Sequence, residues 1–270
     1  MTYIIAEIGN NHNGDVKKCL QLIKAASLTG ANAIKIQSFT GLDIISPKIP
    51  SSFYPEWNSM GYKYWYQYAD SIALPISDHQ EVIDYAHECN LEFITTPVNS
   101  RVLELLEKLN GIDKYKIASM DINNFDLLKS ISNTKKDLIM SSGMSSMKEL
   151  KAALKILNRK NISILHCVSD YPLNPKNAYL NNIKILQETF SNFNIGFSDH
   201  SIGHELALAA VTMGAEIIEK HFTISRQDPN AAEHHFSMEP QEFSEMVKWI
   251  EVIKFNLDHK NWSRSPNELS

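Results

Sequence analysis

Residues 3–37 read YIIAEIGNNHNGDVKKCLQLIKAASLTGANAIKIQ. The first six, Tyr3 to Ile8, form a short apolar run that suits a buried strand, and Gly9-Asn10-Asn11 ends it. Val16, Leu20, Ile23 and Ala26 then recur at spacings of three and four, the period of a helix with one buried face. Gly30 supplies the stop, because glycine readily takes the left-handed conformation past a helix end. A second apolar run, Ala33 to Gln37, follows at once. Strand, helix, strand within 35 residues is one parallel crossover unit, since parallel neighbours need a connection of a dozen residues or more.

The same unit returns along the chain. Further strands are expected at Glu92–Thr95, Lys114–Ile117, Leu138–Ser141, Ile162–His166, Ile195–Ser198 and Glu216–His221. Helices are expected between them, at Asp78–Cys89, Ser100–Leu109, Phe125–Ser132, from a Ser145 or Ser146 cap to Leu157, at Leu180–Phe190 and at His204–Met213, with a last one ending near Asn256. Eight strands and eight helices in 270 residues match an α/β fold of the closed (β/α)8 TIM-barrel type as a single domain. A doubly wound open sheet is the alternative. The barrel is assigned to residues 1–257, with an insertion at about 38–77 after strand two, rich in Pro, Ser and aromatics and holding a short helix near Tyr62–Ala69. Residues 258–270 read as a polar C-terminal tail.

Composition narrows the function classes. Apolar residues at 43% supply ample material for a core, which argues against a disordered chain. Net charge is −5 with no basic stripe, which gives no support to a nucleic-acid partner. No apolar run is long enough to span a membrane, and the N-terminus lacks the pattern of a secretion signal. Cys19, Cys89 and Cys167 are odd in number and widely spaced, which suggests neither a disulfide framework nor a thiolate metal site. A reduced, cytoplasmic setting is the expectation.

Both candidate folds bind ligands beyond the carboxyl ends of their strands. Those ends carry Glu7; Lys35 and Gln37; Thr95 and Thr96; Lys116 and Ser119; Ser141 and Ser142; His166 and Cys167; Ser198 and His200; and Glu219 and His221. Ionisable groups inside apolar strands are costly to bury unless paired or used. Their gathering at one end points to a shared polar cavity. Lys35 and Lys116 with the hydroxyls of Thr96, Ser119, Ser141 and Ser198 suit a phosphate and a carboxylate, because both anions favour charge-assisted hydrogen bonds. His200 and His221 end neighbouring strands about 4.8 Å apart, close enough to share one divalent metal. Two histidines alone leave metal and non-metal roles open. Glu7 and Glu219 can orient hydroxyls or move protons. Cys167 has no partnered base and reads as a small buried residue.

The strings IAEIGNNHNG (5–14), AIKIQSF (33–39), FITTP (93–97), KYKIAS (114–119), IMSSGM (139–144), LHCVSDYP (165–172), GFSDHSIG (196–203) and IIEKHFT (217–223) together resemble the sialic acid synthase family, over about residues 3–257. The resemblance implies a (β/α)8 barrel that joins phosphoenolpyruvate to an N-acetylated amino sugar, giving a nine-carbon sugar acid and phosphate. It implies a divalent metal, Mn2+ typically, with Mg2+ or Co2+ as substitutes, held by His200 and His221. Lys35, Thr96, Lys116, Ser119, Ser141 and Ser198 resemble the phosphoenolpyruvate cradle, with Ser169 near the phosphate. Glu7, Gln37, Tyr171 and Glu219 resemble residues around the sugar. Glu7, Lys35, Lys116 and Glu219 are the residues expected to carry the chemistry.

Three departures stand out. Family members usually continue into a small antifreeze-like domain that offers an arginine to a partner's site. Here the sequence stops at Ser270, so that domain is expected to be absent, and a homodimer or a separate capping protein are both open. Where members often have Gly-Pro-Asp, this chain has Ala231-Ala232-Glu233, a carboxylate one methylene longer. Ser169 stands where many members have a longer polar residue. Two other readings stay open: a phosphoenolpyruvate-dependent synthase for a different aldehyde or sugar phosphate, and a catalytically inactive barrel that binds a ligand.

Overall fold

The structure is a computed structural model that describes residues 2–53, 61–228, 233–259 and 262–268. Eight strands close into a parallel barrel in sequence order, with β8 returning to β1. They are β1 (Tyr3–Gly9), β2 (Ala33–Ser38), β3 (Glu92–Pro97), β4 (Lys114–Ile117), β5 (Asp137–Ser141), β6 (Ile162–Cys167), β7 (Asn194–Asp199) and β8 (Ile217–His221). The helices are α1 (Val16–Ser27), α2 (Gly41–Ile44), α3 (Trp65–Ile72), α4 (His79–Glu88), α5 (Ser100–Leu106), α6 (Phe125–Ser132), α7 (Met147–Leu157), α8 (Asn181–Thr189), α9 (Glu205–Thr212) and α10 (Pro240–Leu257).

The period-two alternation of strands divides the buried residues into two sets. The backs of the strands, among them Ile34, Ile36, Phe93, Tyr115, Met140, Ile164 and Phe197, pack under the helices. The inward set is smaller: Ile5, Ala33, Ile94, Ile139, Leu165 and Ile217 cluster on their own across the barrel axis. At β7 the inward position is Gly196, where an added Cβ would lie 2.4 Å from the Ile217 carbonyl oxygen and 2.6 Å from Leu165 Cδ2. Only a residue without a side chain lets the plug close there. Each fully buried Ile or Leu adds roughly 1.5–3 kcal/mol.

Two residues further along, the inward positions are polar on every strand but β6, which carries Cys167. Glu7, Lys35, Thr96, Lys116, Ser141, Ser198 and Glu219 are all buried at the carboxyl-end mouth. Neighbours are set by register: Glu7 pairs Lys35 and His221, Ser198 pairs Glu219, and Gln37 pairs Thr96.

Helix starts follow local chemistry. Asp15 caps α1 by accepting the Lys17 and Lys18 amides, and Ser146, rather than Ser145, caps α7 in a box with Glu149. Helix α3 begins three residues later than the aromatic pattern suggests. The Gln67 side chain accepts the Lys63 and Tyr64 amides, which holds Tyr64 extended and puts the first turn at Trp65. Tyr62, Trp65 and Tyr68 pack ring against ring, as the core of the insertion. Part of the insertion, 54–60, lies outside the described residues. So do 260–261 and 269–270 in the stretch assigned to a tail, which elsewhere holds a short 3-10 turn, Pro266–Glu268. Among the described residues no helix is long and apolar enough to cross a membrane. All three cysteines are free.

Candidate active site

The mouth is organised around two lysines and two glutamates. Lys35 Nζ sits 2.7 Å from Glu7 Oε2 and 3.8 Å from Glu219 Oε2. Lys116 Nζ donates to Glu219 Oε1 at 3.1 Å, and Ser198 Oγ donates to the same oxygen at 2.8 Å. Environment separates the two carboxylates. Burial outweighs the neighbouring Lys35 and pushes Glu7 up to about 7. Burial acts in the same sense on Glu219, but Lys116 and Lys35 outweigh it and hold that carboxyl at about 2. For Lys35, burial opposes the charge while Glu219 and Glu7 overcome it and raise its pKa. Glu219 is therefore a fixed negative charge between two ammonium groups, whereas Glu7 sits where it can take or give a proton near neutrality.

Beside this quartet stand the two histidines, ring centres 5.4 Å apart. His200 Nδ1 lies 2.9 Å from the Val168 carbonyl oxygen, to which it must donate, leaving an Nε2 lone pair 3.4 Å from Ser198 Oγ. Burial holds both rings neutral, His200 at about 4 and His221 well below the usual imidazole range. Neutral imidazoles with a free nitrogen are what a metal requires. His221 Nδ1 is buried without a hydrogen bond, 3.6 Å from Glu233 Oε2. Among the described residues there is no group of three or more His, Cys, Asp or Glu side chains placed to hold an ion. The described residues thus offer two nitrogens side by side.

Around the quartet lies a set of donors with nothing to bind. The hydroxyls of Thr96, Ser141 and Ser169 are buried with no hydrogen-bond partner among the described residues. Ser119 Oγ accepts the Gly143 amide at 3.0 Å, and an added Cβ on Gly143 would meet Ser169 Oγ at 2.6 Å and Ser119 Oγ at 2.7 Å. The two serines thus converge on one backbone corner beyond β5. Buried polar groups are almost always paired, so an orphaned set at one mouth calls for a ligand.

The opposite side of the mouth is aromatic and acidic. Tyr171 stacks on His200 with ring centres 4.1 Å apart. Phe236 packs against both Tyr171 and His221. Glu233 reaches in from the loop after β8, where Oε2 accepts the Asn10 amide at 3.1 Å, and burial raises its pKa. Gly9, at φ +54°, makes room for it, since a Cβ there would lie 2.2 Å from Glu233 Oε2. Gln37 joins through Asn10, whose side-chain amide is 3.5 Å away.

The structure therefore brings Glu7, Lys35, Lys116, Ser198, His200, Glu219, His221, Tyr171 and Glu233 into one contiguous set, with Gln37 at its edge and Ser119 and Ser169 at a second corner. Thr96 and Ser141 face the same mouth. Asn10 and Phe236 belong to the site and escape the sequence reading. Asn10 sits inside the first matching string, but the positive φ of Gly9 breaks the alternation that would have placed it. Two loop residues lie close by. His234 is buried, with Nδ1 2.7 Å from Thr223 Oγ1. Met144 is 71% exposed on a left-handed backbone at φ 58°.

A closed parallel barrel whose polar mouth joins paired lysines, paired glutamates and adjacent histidines is that of a (β/α)8 enzyme built for an anionic substrate. A model described as the NeuB family matches residues 22–261, and the chain belongs to that family. It is a sialic-acid-synthase-like enzyme, of the class that forms a C–C bond from phosphoenolpyruvate. The N,N'-diacetyllegionaminic acid synthase of Campylobacter jejuni is 36% identical over 258 residues, covering 94% of this chain and 76% of that protein. The pseudaminic acid synthase of Helicobacter pylori is 34% identical over 271 residues, covering 98% and 78%. The crystal structure of an N-acetylneuraminic acid synthetase from Leptospira borgpetersenii, in complex with citrate, matches with a TM-score of 0.85 at 32% identity, covering 99% of this chain and 89% of that one.

Proposed function

We propose that the chain condenses phosphoenolpyruvate with the open-chain form of an N-acetylated amino sugar, with the help of a divalent metal, Mn2+ being the expected ion. The observation that carries this reading is the orphaned donor set. Two ammonium groups, and three buried hydroxyls with no partner among the described residues, lie beside two neutral imidazoles. An enol phosphate carries the phosphate and carboxylate that such donors suit.

Lys35 and Lys116 bind the anionic substrate and stabilise charge as it develops, held in place by Glu219 so that no reorganisation is needed during reaction. The methylene carbon of phosphoenolpyruvate forms the new bond to the aldehyde carbon, and the aldehyde oxygen takes up a proton to become a hydroxyl. Water adds to the electron-poor enol carbon and gives up a proton. The C–O bond to phosphate then breaks as the new hydroxyl passes its proton to the departing phosphate, leaving a ketone and inorganic phosphate. Glu7, with its raised pKa beside Lys35, is the group that exchanges these protons. His200 and His221 would hold the metal, which supplies Lewis-acid polarisation of the aldehyde oxygen. Gln37, Asn10, Tyr171 and Glu233 orient the sugar.

Inorganic phosphate release, measured with Mn2+, phosphoenolpyruvate and a panel of N-acylated hexosamines and their phosphates, tests the proposal. Release is expected only when both substrates are present. Silence across the panel overturns the acceptor assignment, and turnover of a shorter sugar phosphate would replace it.

A further inference from the structure

The ends of β7 and β8 carry a second polar pair on the face turned away from the mouth. Asp199 and Lys220 are direct partners in the strand register, like Ser198 and Glu219 just before them, but they point outward, under the helices. Lys220 Nζ lies 2.8 Å from Asp199 Oδ2, and both side chains are buried to 1% exposure or less. Lys220 Nζ also donates to the Ser201 carbonyl at 2.5 Å, while Asp199 Oδ1 accepts the Ser201 amide at 2.8 Å. His200 therefore has its flanking residues, 199 and 201, both tied to Lys220. His221 is the next residue after Lys220. The His200 carbonyl is fixed too, accepting the Leu173 amide at 3.0 Å.

We infer that Asp199 and Lys220 are positioning residues: a buried clamp on the outer wall of the barrel that sets the spacing and orientation of His200 and His221 on the inner wall. The inference rests on the metal role proposed for the two histidines. The reason is geometric. One salt bridge spans the same two strands that carry the imidazoles, one residue away on each, so the two backbone positions that bear the rings are tied together. The reason is also energetic. A buried ion pair is seldom worth more to stability than apolar residues of the same volume, so its placement behind the two imidazoles points to geometry rather than to folding. Groups that orient metal-binding histidines from behind commonly alter affinity 10- to 100-fold when removed.

The test separates geometry from folding. Lys220→Met strands a buried carboxylate and should lower Tm by roughly 10 °C. Asp199→Leu/Lys220→Met removes both charges and should recover most of that loss. If the pair is a clamp, Co2+ affinity of the double variant, read by calorimetry and by the visible spectrum of bound Co2+, still falls about 10- to 100-fold. Asp199→Asn, which keeps the shape, is the milder variant should the double one not fold, and about a 10-fold loss is expected of it. A second readout needs no metal: nitrogen NMR of His200 should show a single Nδ1–H tautomer in the unaltered protein and a mixture in the variants. Unchanged Co2+ affinity and an unchanged tautomer in a folded variant overturn the inference. If the unaltered protein takes up no Co2+, the metal reading fails by itself, and the tautomer alone decides whether Asp199 and Lys220 position His200.

Discussion

Lys114 and Lys116 stand two residues apart on one strand and face the same barrel axis, yet they end in opposite chemistry. At the base, Lys114 pairs with Glu92 and lies 5.0 Å over the Tyr3 ring, while Tyr3 donates its hydroxyl to the same Glu92 carboxylate at 2.5 Å. That lysine has its opposite charge at hand, and the Glu92 side chain is 43% exposed to water. At the mouth, Lys116 and Glu219 are each 5% exposed, Lys35 is shared between two carboxylates, and three hydroxyls nearby have no partner among the described residues. A charge inside a barrel is thus not a mark of function in itself. The mark is a neighbourhood that leaves buried donors unmet.

The contrast can be broken in graded ways. Lys116→Met should lower kcat/KM about 1,000-fold, close to 4 kcal/mol of transition-state stabilisation, with Tm changed by only a few degrees. Lys114→Met should leave kcat/KM within about twofold; an equal loss at both positions would abolish the distinction between the ends. Next in size, metal removal by a chelator should cut turnover at least about 100-fold. Added Mn2+ should restore the chelated protein but not His200→Ala. Glu233→Asp shortens the arm that fills the space over Gly9 and should move the acceptor KM about 10-fold while leaving the phosphoenolpyruvate KM alone. At the base, Glu92→Gln should cost only about 1 kcal/mol in urea unfolding, since that pair is partly solvated.

The smallest effect concerns the rim. Burial favours the neutral form of Asp43, but hydrogen bonds from Arg101, Asn99 and Thr40 outweigh it and hold the carboxyl at about 2. A group depressed in the folded state stabilises above its unfolded pKa near 3.8. That contribution, at most about 2 kcal/mol, should fade as pH falls through 2, and Asp43→Asn should flatten unfolding curves between pH 5 and 2.

Much of this was legible from residue order. Alternating apolar runs and helical spacings locate all eight strands, because each strand is buried on both faces and bounded by turn residues. The period of two then tells that Glu7, Lys35, Lys116 and Glu219 share a side. Three things were not legible. Lys114 obeys the same alternation as Lys116, and only the three-dimensional neighbours, Glu92 and Tyr3, separate base from mouth. Asn10 and Phe236 lie on loops, where no period fixes direction. Asp199 and Lys220 sit inside recognisable strings, but their pairing across the outer wall depends on strand register. Register comes from barrel closure, not from either string.

The apolar plug of Ile5, Ile94, Ile139, Leu165 and Ile217 has one more consequence. It floors the mouth with apolar side chains, so ligands enter from the loop side. With the proposed phosphoenolpyruvate site at Lys116 and the acceptor beside Glu233, binding should be ordered, the later arrival holding the earlier one captive until chemistry is done.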